Sequence, residues 1–183
     1  MCDARPVIEV MKLLYQKGMI TVLSGNASAR CGDVFLITPS GVPKNDIKEL
    51  SVVSLNDLKW RGPKPSIEYK MHALIYMKTD ARSVVHAHNP KAVLAAKLGL
   101  PLDPSEYVET AYAIRELARV PPLEAGSEEL ARRVAEESTR ADVILLEGHG
   151  AVALGKDPYE ALNKLEALEY LAELALLERA VRG

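Results

Sequence analysis

Three of the chain's four histidines fall in two short blocks, Val84-Val85-His86-Ala87-His88 and Glu147-Gly148-His149-Gly150. Both blocks follow apolar, strand-like runs. Side chains on a strand alternate with a period of two, so His-x-His puts both imidazoles on one face, roughly 7 Å apart at Cα. Two such rings can converge on one tetrahedral ion, and a third histidine between glycines, where no Cβ blocks close approach, can complete the set. Three protein ligands with an exchangeable position make a catalytic zinc site, whereas four fixed ligands make a structural one. Glu68, near a helix start, is a carboxylate that can bind the metal or swing away. His72 lies four residues further on the same helix face, either as an alternative ligand or as a histidine packed behind the others. Read alone, His-x-His is also compatible with ordinary hydrogen-bonded strand histidines.

Two small polar turns could hold an anion. Leu23-Ser24-Gly25-Asn26-Ala27-Ser28-Ala29-Arg30 and Thr38-Pro39-Ser40-Gly41 offer hydroxyls, a side-chain amide and backbone N–H groups, and a helix start at Ser66 would add a positive dipole end. Each turn by itself reads equally as a loop, and neither is a Walker loop or a dinucleotide fingerprint. Tyr107 and Tyr112 are either packed phenols or candidate general acids.

These groups need elements to place them. Pro6 to Lys17 reads as an amphipathic helix with Val7, Val10, Met11 and Leu14 on one stripe. Strands are expected at Asp33–Thr38, Leu50–Asn56, Ser83–Ala87, Asp142–Leu146 and Ala151–Leu154. An exposed turn is expected near Arg61-Gly62-Pro63. Helices are expected from Ser66, as N-cap with Glu68 in the first turn, to Met77, from Pro90 to Leu98, from Ser127 to Thr139 and from Asp157-Pro158 to Val181. The stretch from Gly99 to Val120 reads as helix with flanking loops. The alternation lacks a regular βαβ repeat, which points to one α/β domain, residues 1–183, built as a layered sandwich.

The 183 residues carry a net charge of −2, 48% hydrophobic and 26% charged residues. That balance gives no support for nucleic-acid binding. No apolar run approaches the roughly 20 residues of a membrane span, and Met1-Cys2-Asp3-Ala4-Arg5 lacks a signal-peptide core. Two cysteines, Cys2 and Cys31, make no disulfide framework and no cysteine zinc motif. A cytoplasmic protein is expected.

Ser24-Gly25-Asn26-Ala27-Ser28-Ala29-Arg30, Ile37-Thr38-Pro39-Ser40-Gly41, Pro65-Ser66-Ile67-Glu68, His86-Ala87-His88 and His149-Gly150 occur in that order. Together they resemble the class II aldolase/adducin family, with a pattern nearest its L-fuculose-1-phosphate aldolase branch, over about residues 6 to 175. The resemblance implies an αβα sandwich around a mostly antiparallel sheet, assembled as a homotetramer with active sites between subunits. It implies Zn2+, or another divalent transition metal, held by His86, His88 and His149. Glu68 would coordinate in the resting state and act as catalytic acid/base. Ser24, Gly25, Asn26, Ser40, Gly41 and Ser66 would surround a substrate phosphate. His72 matches a family histidine that is not a ligand. Tyr107 is the candidate for a catalytic tyrosine donated across the interface.

The implied reaction is reversible cleavage of a ketose 1-phosphate, similar to L-fuculose 1-phosphate, into dihydroxyacetone phosphate and an aldehyde. Two departures stand out. Ile67 replaces a serine that many relatives carry before the glutamate. The sequence also runs only from His149 to Gly183, with no counterpart of the C-terminal tyrosine or histidine of longer relatives, which weighs against the family's 4-epimerases. A methylthioribulose-1-phosphate dehydratase is a second alternative. An adducin-like binding module is the non-enzymatic one, and the full ligand set argues against it.

Overall fold

The computed structural model describes residues 3–182. Its frame is one eight-stranded sheet: β1 (Asn26–Cys31), β2 (Val34–Ile37), β3 (Ser51–Ser54), β4 (Trp60–Arg61), β5 (Ser83–Ala87), β6 (Leu117–Val120), β7 (Val143–Leu146) and β8 (Gly150–Gly155). Their spatial order is β4-β3-β2-β1-β5-β8-β7-β6. Every pairing is antiparallel except β6 with β7. Six helices cover it: α1 (Arg5–Gln16), α2 (Tyr69–Lys78), α3 (Pro90–Lys97), α4 (Val108–Ala113), α5 (Glu128–Glu137) and α6 (Pro158–Arg182). The mixed α/β sandwich expected from the sequence is the observed fold.

Strand alternation divides the apolar residues between two cores. Val85, Val143, Leu145, Ala151 and Ala153 face α1, α3 and α6, while Val84, Ile144, Leu146, Val152 and Leu154 face α2 and α5. Helix faces match: Val7, Val10, Met11 and Leu14 of α1 are fully buried, and so are Val134 and Ala135 of α5. Burying such a side chain contributes about 1.5–3 kcal/mol, so both covers are firmly held. Ser127 caps α5 by accepting from the Leu130 N–H, as its sequence predicts.

The structure corrects four local expectations. The Leu23–Arg30 segment is not only a turn, because its second half is β1, between β2 and β5. The sequence Asn-Ala-Ser-Ala-Arg-Cys carries no aliphatic alternation, and sheet pairing on both edges overrides its weak propensity. Arg61, read as part of an exposed turn, closes the two-residue strand β4. Within Gly99–Val120, α4 is followed by β6, whose alternate burial of Ala118 and Val120 spans only four residues, too short to mark a strand in the sequence. Finally, α2 begins at Tyr69 with Glu68 at the cap, not with Ser66 as N-cap and Glu68 in the first turn. Cys31, at the end of β1, is disulfide-bonded, and Cys2 lies outside the described residues.

Candidate active site

The site lies where the central strands end. His86 is on β5, facing the same side as Val84, and His88 follows one residue past the strand. His149 sits in the turn between β7 and β8. The three rings pack with centroids 4.8 to 5.2 Å apart, and one nitrogen from each lies within 4.8 Å of the others. Gly150 makes that convergence possible: a Cβ there would stand 2.1 Å from the Ala87 carbonyl oxygen. Gly25, at φ +74°, also brings the preceding loop close, since a Cβ would lie 2.9 Å from the His86 carbonyl. These glycines let both flanking chains press on the end of β5.

The protonation pattern suits a cation. His86 Nδ1 donates to the Ala151 carbonyl at 2.9 Å, which leaves the lone pair of neutral His86 on Nε2. That nitrogen is buried without a hydrogen-bond partner, and so is Glu68 Oε1. His86 Nε2 stands 3.4 Å from Glu68 Oε2, and His149 Nε2 stands 3.9 Å from Glu68 Oε1. Acceptors facing one another in a buried place are costly, about 1–3 kcal/mol for each unsatisfied group. A positive centre among them relieves that cost, so the residues present fit a divalent metal. Burial, with His86 and His149 nearby, pushes the His88 pKa down to about 4, and burial with His86 lowers that of His149. Both therefore present neutral imidazoles at neutral pH. Burial raises the Glu68 carboxyl, but His86, the Asn26 hydrogen bond, His149 and His72 outweigh it and leave it below its ordinary value.

The polar turns gather beside the triad around a cavity of about 210 Å3. Ser24, Gly25, Asn26, Ser40, Gly41, Ser66 and Glu68 all line it, with His88 and His149. Pro39 bridges to Pro65, which holds the second turn against the start of α2. The Ser40 N–H is taken by the Lys64 carbonyl and the Ser66 N–H by that of Thr38. These two serines therefore offer hydroxyls rather than the free backbone N–H groups expected from sequence. Ser24 Oγ accepts from both the N–H and the hydroxyl of Thr21.

Lys44 also lines this cavity, as the only lysine or arginine among the described residues that does so, and sequence reasoning missed it. Its buried ammonium donates to the Pro39 and Val42 carbonyls at 2.7 and 3.1 Å. The signal was a lysine three residues beyond the Pro-Ser-Gly turn. A wider depression of about 1550 Å3 lies at the opposite end of β5 and β8, lined by Arg82, Asp142 and Gly155 among others. It shares no residue with the triad and gathers no metal-ligand cluster among the described residues, so size is a poor guide here.

Tyr107 and Tyr112 are not brought to the triad within the chain. The Tyr107 hydroxyl donates to Glu178 on α6 at 2.7 Å, its ring packs on Tyr170, and hydrogen bonding to that carboxylate raises its pKa. Tyr112 projects outward, 89% exposed. His72 is fully buried and binds Asn26 and Ser28, so it is no ligand of the triad's centre. No helix among the described residues is long and apolar enough to cross a membrane.

The chain is similar to known proteins in sequence and fold. The family described as Class II Aldolase and Adducin N-terminal domain matches residues 5–176. The L-fuculose phosphate aldolase of Methanococcus maripaludis is 35% identical over 179 residues, 94% of this chain and 95% of that protein. A 5-methylthioribulose-1-phosphate/5-deoxyribulose-1-phosphate aldolase of Rhodospirillum rubrum is 30% identical, covering 91% of this chain and 77% of that one. The crystal structure of L-fuculose-1-phosphate aldolase from Thermus thermophilus superposes with a TM-score of 0.84 at 33% identity, over 98% of this chain and 95% of that one. The chain belongs to the class II aldolase and adducin family, among its enzymes of the aldolase type.

Proposed function

We propose that the protein cleaves a ketose 1-phosphate reversibly into dihydroxyacetone phosphate and an aldehyde, with a divalent metal, zinc by ligand chemistry, held by His86, His88 and His149. The observation that carries this reading is the buried carboxylate of Glu68 beside three converging imidazoles, at the edge of a cavity lined by hydroxyls and one ammonium. Relatives named as fuculose and methylthioribulose phosphate aldolases support it.

A divalent ion there supplies Lewis-acid stabilisation of the negative charge that develops beside a carbonyl during aldol chemistry. The chain's own residues do the rest. Ser40, Ser66, Asn26 and the Gly25 and Gly41 backbone, with Ser24 beside them, surround the phosphate, and Lys44 adds positive charge to that wall. Anchoring the phosphate fixes which carbon faces Glu68, so that binding energy serves orientation. Glu68 removes the proton next to the carbonyl of dihydroxyacetone phosphate in condensation and returns one in cleavage. Tyr107, donated across a subunit interface, protonates the aldehyde oxygen. In this reading the active form is a single-domain chain in a cytoplasmic homotetramer.

The test is a coupled assay for dihydroxyacetone phosphate over a panel of phosphorylated ketoses, including L-fuculose 1-phosphate and 5-methylthioribulose 1-phosphate. The expected result is its release from at least one of them. Epimerised or dehydrated product without it would replace the aldolase reading with a 4-epimerase or a dehydratase.

A further inference from the structure

We propose that His72 is a positioning residue for Glu68: with Ser28 and Tyr76 it forms a one-way hydrogen-bond relay that turns the Asn26 amide so that its N–H faces the carboxylate. The inference rests on the reading of Glu68 as the acid/base. Along α2 and its cap, Glu68, His72 and Tyr76 are spaced at i, i+4 and i+8, about 6 Å apart. On β1, Asn26 and Ser28 share a face at i and i+2, about 6.7 Å apart. Asn26 pairs directly with His86 in the sheet, so this is the face that bears the metal site.

The two spacings nearly match, and the side chains interleave. Asn26 lies between Glu68 and His72, with Nδ2 2.8 Å from Glu68 Oε2 and Oδ1 2.6 Å from His72 Nε2. Ser28 lies between His72 and Tyr76, with Oγ 2.6 Å from His72 Nδ1 and 2.6 Å from the Tyr76 hydroxyl. All five side chains are buried.

The donors can point only one way. An ionised carboxylate accepts, so Asn26 must present Nδ2 to Glu68 and Oδ1 to His72. Oδ1 also only accepts, so His72 Nε2 must carry the ring proton. A neutral imidazole carries one proton, here on Nε2, which leaves Nδ1 bare as an acceptor. Ser28 then spends its single proton on Nδ1, and Tyr76 donates to Ser28. The other imidazole tautomer would flip Asn26 and set its carbonyl against the carboxylate. The relay thus anchors Glu68 by Oε2 and leaves Oε1, which has no hydrogen-bond partner, for proton exchange or the metal.

Nitrogen-15 NMR of the metal-free protein reads the tautomer of each of its four histidines. His72 is expected as the Nε2–H form, and an Nδ1–H form overturns the relay. On the zinc-loaded enzyme, His72→Phe keeps a ring but no donor. It is expected to lower kcat about 10–100-fold, the usual range for groups supporting a metal site, with KM and bound zinc unchanged. His72→Gln keeps an N–H directed at Asn26 and is expected to recover most of that loss. Wild-type kcat in His72→Phe, or an equal loss in His72→Gln, overturns the proposal. Should His72→Phe not fold, Ser28→Ala decides. It is expected to lower kcat and release the tautomer, and a wild-type tautomer with wild-type kcat overturns the relay. If the wild type cleaves no ketose 1-phosphate, the aldolase reading fails, and the tautomer alone still judges the relay.

Discussion

Tyr76 and Tyr107 stand at the ends of two differently built regions. Tyr76 is fully buried, its hydroxyl committed to Ser28 and its ring 5.4 Å from that of Phe35. It closes a floor in which every polar group from Tyr76 to Asn26 has a partner. Tyr107 is half-buried near the molecular surface, bonded to Glu178 of the final helix and not among the residues that line the cavity beside the triad. The contrast teaches which half of the chemistry one chain completes. The proposed metal ligands, acid/base and phosphate wall converge within one chain, whereas the tyrosine proposed to serve the aldehyde does not join them. Under the proposed function, the phosphate-bearing half of the substrate would be recognised by fixed residues of one chain, and the aldehyde half would depend on assembly.

Substitutions can break or sharpen that contrast. The largest effect is expected at the completed half: Glu68→Gln should lower kcat about 1,000-fold, within the range for loss of an acid/base group, while thermal unfolding shows the fold retained. Near-normal turnover would remove Glu68 from the mechanism. At the incomplete half, Tyr107→Phe should lower kcat about 100-fold, at the low end of that range, leaving metal content and phosphate affinity unchanged. An unaltered kcat would make the Tyr107–Glu178 pair purely structural.

A smaller effect belongs to the phosphate wall. Ser66→Ala and Ser40→Ala each remove one hydroxyl, worth about 1 kcal/mol of hydrogen bonding. Each should raise KM for a ketose 1-phosphate several-fold with kcat nearly constant. A fall in kcat alone would place these serines nearer the reacting carbons than the phosphate.

A separate effect falls on stability rather than on turnover. His72 has an ordinary pKa of 6.5 and a folded value near 3. Below about pH 6.5 the unfolded chain takes up a proton that the folded chain refuses, so stability is full above that pH and falls as pH drops towards 3. Denaturant titrations of the metal-free protein between pH 6.5 and 4 should show His72→Gln losing up to one proton of this slope, about 1.4 kcal/mol per pH unit. Identical slopes would mean that His72 titrates normally in the folded state.

How much of this was legible in the sequence follows from how local each signal is. The helices at Arg5–Gln16, Pro90–Lys97, Glu128–Glu137 and Pro158–Arg182 carried caps, prolines or an apolar stripe, and each appears within a residue or two of its expected bounds. The triad was legible because His-x-His and Gly-His-Gly are complete within a few residues. The strand β1 was not, because its inward residues are polar to serve the site, and polarity reads as a loop. Lys44 was missed because its one local mark, a place three residues beyond the Pro-Ser-Gly turn, does not tell a buried ammonium from a surface lysine. The relay was invisible for another reason: it joins a strand spacing of two to a helix spacing of four across 42 to 48 residues. Neither spacing signals anything until the sheet brings them together. Sequence separated His72 from the ligands, but only packing shows what it touches.

Metal dependence tests the central claim most directly. Chelated and dialysed protein should release no dihydroxyacetone phosphate from the ketose 1-phosphate it uses. Zinc or another divalent transition metal should restore that activity at about one ion per chain, the number one three-histidine centre holds. A metal-free preparation with full activity would contradict the account.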